Sequence, residues 1–198
     1  MKKNSEYFHY LTLKNDNIFY LVPKTGTRSI IEKLREQSVL DVNDTAWRKT
    51  PINVNYSFAI VRNCWDRLYS TWKDKVSKQW SDTYPMQHRH FRIKKFAEFK
   101  NKDFKYFVKN INVDCEPHVN VQCDLININD VKFIGRFENL QEDFNTICDK
   151  IGIPHQKLPH KNKTKHKHYT EYYDDETKSI VAEKYAKDIE YFGYEFGE

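Results

Sequence analysis

Glycine and proline are scarce in this chain, which has 5 glycines and 6 prolines among 198 residues. Disordered and low-complexity segments are usually rich in these residues, so their scarcity favours an ordered chain. Aromatic residues make up 15% of the sequence, enough to build a substantial core. Because no internal repeat and no Gly/Ser linker appears, we expect a single domain over residues 1–198.

Long apolar segments are also missing. No run approaches the roughly 18 apolar residues that a membrane-spanning helix needs, so we expect no stable membrane insertion. The first ten residues contain lysines but no apolar signal-peptide core. None of the four cysteines is paired in a C-x-x-C pattern, which favours reduced thiols in a cytoplasmic protein. A bridge between Cys115 and Cys123 stays open as the alternative.

A strong charge of either sign is absent too, since 33 basic residues face 28 acidic ones and the net charge is +5. This balance suits a small anionic ligand. It is too mild to indicate a nucleic-acid partner, so none is expected.

Buried apolar runs alternate with helical periodicities along the chain. The pattern predicts strands at 19–22, 56–62 and 131–135, and helices at 29–37, 65–77, 95–110, 140–151 and 174–188. An aromatic tail, 191–196, is expected to dock on the core. This alternation predicts an α/β fold with a central, mostly parallel sheet flanked by helices, of the three-layer, P-loop-like kind. Ligands of such sheets bind at the carboxyl ends of the strands.

The loop Pro23–Ser29 joins a predicted strand directly to a predicted helix. Backbone amides of such a loop and the helix N-terminus can surround one anion, and Lys24 and the Thr and Ser hydroxyls add donors. The loop is not a Walker A motif, because Lys24 precedes its single glycine. A phosphate-like or sulfate-like ligand is therefore expected, although a strand–turn–helix without a ligand could carry the same residues.

A second strand–turn–helix, Ile60–Ser70, places Arg62 at the end of the strand and Ser70 in the helix. A guanidinium and a hydroxyl beside a helix N-terminus can hold another phosphate. The alternative is that Arg62 pairs with Asp66 and Ser70 faces solvent. Two anion sites on neighbouring strands indicate a ligand with two separated anionic groups.

With these two motifs the chain resembles sulfotransferases that use 3′-phosphoadenosine 5′-phosphosulfate, of the carbohydrate (Golgi-type, family 2-like) group. Pro23–Ser29 matches the 5′-phosphosulfate loop of that family, and Ile60–Ser70 matches its 3′-phosphate motif. The segments Glu116–Gln122 and Phe133–Leu140 are similar to further family motifs. Asn63-Cys64 stands where the family usually has Asp-Pro, and Val119 stands where it has Trp.

The resemblance implies in-line transfer of a sulfuryl group to a hydroxyl of a carbohydrate acceptor, without a metal. Lys24 would neutralise the charge that develops on the bridging oxygen. The residues implied to contact the nucleotide are Lys24, Thr25, Gly26, Thr27, Arg28, Ser29, Arg62, Ser70 and Lys163. Lys163 belongs to a basic loop, 157–168, whose other interpretation is a solvated surface loop.

The sequence offers several candidates for the general base. His118, in the family-like segment, is the leading candidate, and a hydrogen-bonded structural histidine is the alternative. His88, His90 and Glu116 are the other candidates. Two further functions stay open: a nucleotide or sugar kinase that shares the loop architecture, and a non-catalytic module that binds polyanions through the basic loops.

Overall fold

The computed structural model describes residues 7–41, 47–77, 96–159 and 167–198. These residues fall into two units. Residues up to Arg62 and from Gln122 to Lys165 form the first unit, and Asn63–Val121 with His166–Glu198 form the second. Neither unit is a continuous piece of chain. The expectation of a single domain stays a prediction.

The first unit contains a five-stranded sheet with the strand order β3-β1-β2-β4-β5. The strands are β1 (Tyr7–Leu13), β2 (Asn17–Tyr20), β3 (Trp47–Lys49), β4 (Tyr56–Val61) and β5 (Phe133–Arg136). β4 runs parallel to β2 and to β5, as the three buried runs predicted. β1 runs antiparallel to β2 and to β3, so the sheet is mixed rather than mostly parallel.

The sequence interpretation missed β1, although its hairpin with β2 has a local signal. The turn between the strands places Asn15 and Asp16 at φ of 58° and 54°, and Asn and Asp are the residues that tolerate this left-handed region best. Phe8 and Tyr10 are buried on alternate positions of β1, with half-buried His9 between them. Alternation beside an Asn-Asp turn is typical of a hairpin.

Six α-helices occur in the described part of the chain. They are α1 (Thr27–Glu36), α2 (Cys64–Trp72), α3 (Phe104–Asn110), α4 (Leu140–Ile151), α5 (Asp175–Lys184) and α6 (Ala186–Phe192). α1 and α4 belong to the first unit and pack on the sheet through one apolar cluster, which includes Leu34 of α1, Phe144 and Ile147 of α4, and Phe19 and Phe58 of the strands. Gly152, at φ 73°, ends α4 as predicted. No helix in the described ranges is long and apolar enough to cross a membrane.

Two predicted helices of the second unit are each divided. Residues 96–110 form a short 3₁₀ turn, Ala97–Phe99, and then α3, because the side chain of Asp103 accepts the amide of Tyr106 and begins a new helix there. The prediction of one helix over 174–188 is also wrong, since α5 ends at Lys184 and α6 begins after Tyr185. The aromatic spacing of 96–110 fits a continuous helix, but the side-chain cap at Asp103 favours a break there.

Aromatic side chains supply much of the core of the second unit. Tyr69 of α2 stacks on Tyr172 with ring centroids 4.2 Å apart and meets Phe104 edge to face. Phe196 packs on Trp65 and on Tyr173. The predicted docking of the aromatic tail is thus confirmed within this unit.

Candidate active site

The loop after β2 is fastened to the end of that strand by two threonines. The hydroxyls of Thr25 and Thr27 both donate to the carbonyl of Val22, at 2.8 and 2.7 Å. Thr25 is fully buried. The two hydroxyls therefore stabilise the loop itself. The sequence interpretation had predicted instead that they donate to an anion.

Gly26 brings the loop close to α4 and starts α1. Its φ is 80°, and a Cβ at this position would lie 2.6 Å from Cδ2 of Leu140. The amide of Ser29 already donates to the carbonyl of Gly26 at 2.9 Å, and its hydroxyl donates to the carbonyl of Pro159 at 3.2 Å. The earlier amides of the first turn, those of Thr27 and Arg28, have no carbonyl partner inside a helix. They are the amides best suited to an anion.

Lys24 has a backbone conformation that is unusual for a residue with a side chain. Its φ is 74°, in the left-handed region that costs L-residues about 1–2 kcal/mol. Strain of this kind persists where the surrounding structure enforces it, and it is concentrated at functional sites. The lysine that the sequence interpretation assigned to catalysis is thus also a strained residue of the loop.

Arg62 follows the last residue of β4 and reaches the same loop. Its Nη1 donates to the carbonyl of Lys24 at 3.0 Å, and its guanidinium lies 4.0 Å from the ring centroid of Phe137. The two basic residues that the motifs singled out are therefore brought together at the carboxyl ends of the parallel strands β2 and β4. This is the place where open α/β sheets bind their ligands.

Gln122 holds the backbone of Arg62. The amide of Arg62 donates to Oε1 of Gln122 at 3.0 Å, and Nε2 of Gln122 donates to the carbonyl of Arg62 at 2.8 Å. Gln122 is completely buried. The sequence interpretation included it in a family-like segment but gave it no role, because its partner is 60 residues away.

In the second unit, α2 carries Ser70 and Arg67, the other polar residues of the second motif. Ser70 is half-buried, and its proposed contact with a phosphate stays a prediction. Arg67 is fully buried and donates to the carbonyls of Asn120 and Pro117, both at 2.8 Å. Burial lowers the pKa of its guanidinium, while the nearby Tyr185 and Asp188 oppose that shift.

Arg67 therefore binds the segment 117–120 within its own unit, a role that sequence reasoning missed. A signal for burial was present in the sequence, since Arg67 shares a helix face with Cys64, three residues before it, and cysteine is among the residue types most often buried. Thr71 also donates to the carbonyl of His118 at 3.0 Å.

His118 and Glu116, two of the candidates for the general base, form a pair. Nδ1 of His118 lies 2.7 and 2.9 Å from the two carboxylate oxygens of Glu116, and one of these oxygens also accepts the His118 amide at 3.0 Å. An ionised carboxylate only accepts, so beside an ionised Glu116 the Nδ1 atom of His118 carries a proton. Both side chains are partly exposed. The geometry is that of an imidazole oriented by a carboxylate.

Three predicted site residues lie outside the described residues: Lys163 of the basic loop and the alternative bases His88 and His90. In the described ranges, no group of three or more His, Cys, Asp or Glu side chains could hold a metal ion.

The first unit also has a cleft of about 740 Å³ that the sequence did not predict. Its lining includes Phe8, Tyr20, Thr50, Ser57, Asn127 and Lys132. Ser57 is the second residue of β4 and Lys132 precedes β5, while Tyr20 is the last residue of β2. Lys24 and Arg62 are not among the described residues that line this cleft.

Comparison with known proteins gives one finding. The model of the Sulfotransferase family matches residues 8–195. No curated protein and no solved structure matches the chain. The match covers nearly the whole sequence, including the loop at Lys24, Arg62 and the His118 segment, and the chain accordingly belongs to the sulfotransferase family.

Proposed function

We propose that this sulfotransferase takes the sulfuryl group from 3′-phosphoadenosine 5′-phosphosulfate and transfers it to a hydroxyl of a carbohydrate. The observation that carries the proposal is the junction of Lys24 and Arg62, where one bond of 3.0 Å joins the two motif loops. Two cationic residues at the ends of neighbouring parallel strands suit a ligand with two anionic groups. The carbohydrate acceptor and the P-loop-like arrangement are supported by motif resemblance.

On the donor side, the first-turn amides of α1 would bind the 5′-phosphosulfate. The Lys24 ammonium would neutralise negative charge on the bridging oxygen while the bond from that oxygen to sulfur breaks. Arg62 would bind the 3′-phosphate, the group that distinguishes this donor from ATP. The motif resemblance assigns the Ser70 hydroxyl to this phosphate as well.

On the acceptor side, we propose His118 as the general base. Glu116 holds the proton on Nδ1, so Nε2 is the atom that would accept the proton of the attacking hydroxyl. The ring then becomes positively charged, and the adjacent carboxylate stabilises that charge. The reaction forms the bond between the acceptor oxygen and sulfur, and the nucleotide leaves as the 3′,5′-bisphosphate.

Calorimetric titration with adenosine 3′,5′-bisphosphate, adenosine 5′-phosphate and ATP tests the donor. We expect the bisphosphate to bind most tightly. Arg62→Ala should weaken its binding about 10–100-fold, since a hydrogen bond between charged groups is lost, and should change adenosine 5′-phosphate binding far less. Arg35→Ala, in the last turn of α1, is the matched control for the loss of one exposed positive charge.

The rival functions give different results in this titration. A kinase would prefer ATP. A polyanion-binding module would show binding that falls steeply with salt and survives Lys24→Ala. Either result, or no binding of the bisphosphate, would remove the proposed donor.

A further inference from the structure

Arg62 stands at the point where the β4–β5 ladder ends. The last residues in register are Val61 of β4 and Arg136 of β5, and Arg62 follows directly. Gln122 bonds both backbone polar groups of Arg62, the amide and the carbonyl, through one side-chain amide.

The orientation of the Gln122 amide is fixed by its two partners. A backbone N–H can only donate and a backbone carbonyl can only accept, so Oε1 must face the amide of Arg62 and Nε2 must face its carbonyl. The side chain thus mimics a neighbouring strand for one residue. Its complete burial excludes competing water from both bonds.

The Arg62 side chain is restrained at its other end as well. The guanidinium lies over the ring of Phe137 and donates through Nη1 to the carbonyl of Lys24. A displacement of the Arg62 backbone would move the guanidinium away from both contacts. Gln122 consequently influences the loop at Lys24 indirectly, because Gln122 bonds Arg62 and Arg62 bonds Lys24.

We propose that Gln122 is a positioning residue that sets the enzyme's selectivity for a nucleotide with a 3′-phosphate. The inference rests on the proposed function, in which Arg62 binds that phosphate. Gln122 holds the Arg62 backbone at the end of β4. This fixes the position from which the Arg62 side chain extends. A planar, directional donor loses affinity when it is displaced or rotated, so the effect falls on the 3′-phosphate.

The ratio of two affinities tests this role: that for adenosine 3′,5′-bisphosphate over that for adenosine 5′-phosphate. Gln122→Met keeps most of the side-chain volume and removes both hydrogen bonds. We expect it to lower the ratio about tenfold or more, while the affinity for adenosine 5′-phosphate stays within about threefold of the wild type. Loss of stability alone would not change this ratio in the folded protein.

Gln141→Met is the matched control. Gln141 is a half-buried glutamine of the first unit whose side chain also bonds backbone groups, since it donates to the carbonyl of Gln156 and accepts from the amide of Leu158. These partners belong to the segment after α4 and not to Arg62. We expect Gln141→Met to lower stability and leave the ratio unchanged.

Gln122→Glu provides a second variant if methionine prevents folding. Glutamate can still accept a hydrogen bond from the Arg62 amide, but it places a carboxylate oxygen against the Arg62 carbonyl, so we expect a reduced ratio again.

If the wild type prefers the bisphosphate and the Gln122 variants keep that preference, the inference about Gln122 is overturned and the proposed donor is not. A wild type without the preference overturns the proposed donor, and the inference with it.

Discussion

At the scale of single residues, Lys24 combines two demands that conflict. Its ammonium is proposed to act in catalysis, which requires a lysine. Its backbone has φ of 74°, which favours glycine. The bond from Arg62 to its carbonyl and the threonine bonds to Val22 hold the loop in this conformation. The protein thus keeps a side chain at a position where the backbone is strained.

Replacement of Lys24 by alanine and by glycine separates the two demands. Both variants lack the ammonium, so we expect both to lose about 10²–10³-fold in kcat for sulfuryl transfer. Only glycine relieves the strain, and Lys24→Gly should therefore exceed Lys24→Ala in free energy of unfolding by about 1 kcal/mol. Urea unfolding and steady-state turnover measure the two effects. Equal stabilities would contradict the strain, and full activity in either variant would contradict the role of the ammonium.

Some roles of single residues could be predicted from the sequence, and others could not. Lys24 and Arg62 were predictable because each follows a buried run, and the ends of parallel strands meet at one edge of the sheet. The roles of Arg67 and Gln122 were not predictable, because each is defined by partners some 50–60 residues away. Thr25 and Thr27 look like ligand donors in the sequence, and only the fold shows that they bond Val22.

At the scale of elements, the predictable parts were those with strong local patterns. β2, β4, β5, α1 and α4 have continuous apolar runs or clear helical periods, and the structure contains all of them near the expected positions. β3 has three residues, and its middle one alone is half-buried, so it carries almost no pattern. Its existence depends on pairing with β1, which is tertiary information.

The segment 116–120 is an element without regular secondary structure that the second unit nevertheless fixes firmly. Arg67 donates to two of its carbonyls, Thr71 to a third, and the Tyr185 hydroxyl to the carbonyl of Val119 at 2.6 Å. Buried donors that bind carbonyls of a loop restrain its backbone. The segment is thus a stable support for the pair of His118 and Glu116.

Because Arg67, Thr71 and Tyr185 bond backbone carbonyls of the segment, His118→Ala keeps these bonds and should remove catalysis without unfolding the protein. We expect kcat to fall about 10²–10⁴-fold, with the affinity for adenosine 3′,5′-bisphosphate within about twofold of the wild type. Glu116→Gln keeps a hydrogen-bond acceptor but removes the charge, and it should reduce kcat less than His118→Ala.

His155→Ala is the control for this prediction. His155 also bonds a carboxylate, that of Asp149, at 2.7 Å, but both side chains are largely exposed on the first unit. Its replacement should leave turnover unchanged. Unaltered turnover in His118→Ala would discard that residue as the base.

At the scale of the whole molecule, each of the two units is built from separate segments of the chain. The chain passes from the first unit to the second after Arg62, returns at Gln122 and passes to the second again between Pro159 and Lys167. The family match, residues 8–195, includes all three passages. A unit that is made of separate chain segments cannot be removed by cutting at one linker. We therefore expect the two units to unfold in one cooperative transition.

The cysteines provide the measurement, because none of the four forms a disulfide and three of them are buried. Cys148 lies in the first unit and Cys64 in the second, and burial raises the pKa of both thiols, so both should react only after unfolding. Half-buried Cys115 should react first.

With a thiol-alkylating reagent and mass spectrometry of the peptides, we expect Cys64 and Cys148 to be labelled at the same slow rate. Adenosine 3′,5′-bisphosphate at 100 times its Kd should slow both about 100-fold, since it binds the native state alone. Labelling of one thiol tenfold faster than the other would show that the units unfold separately.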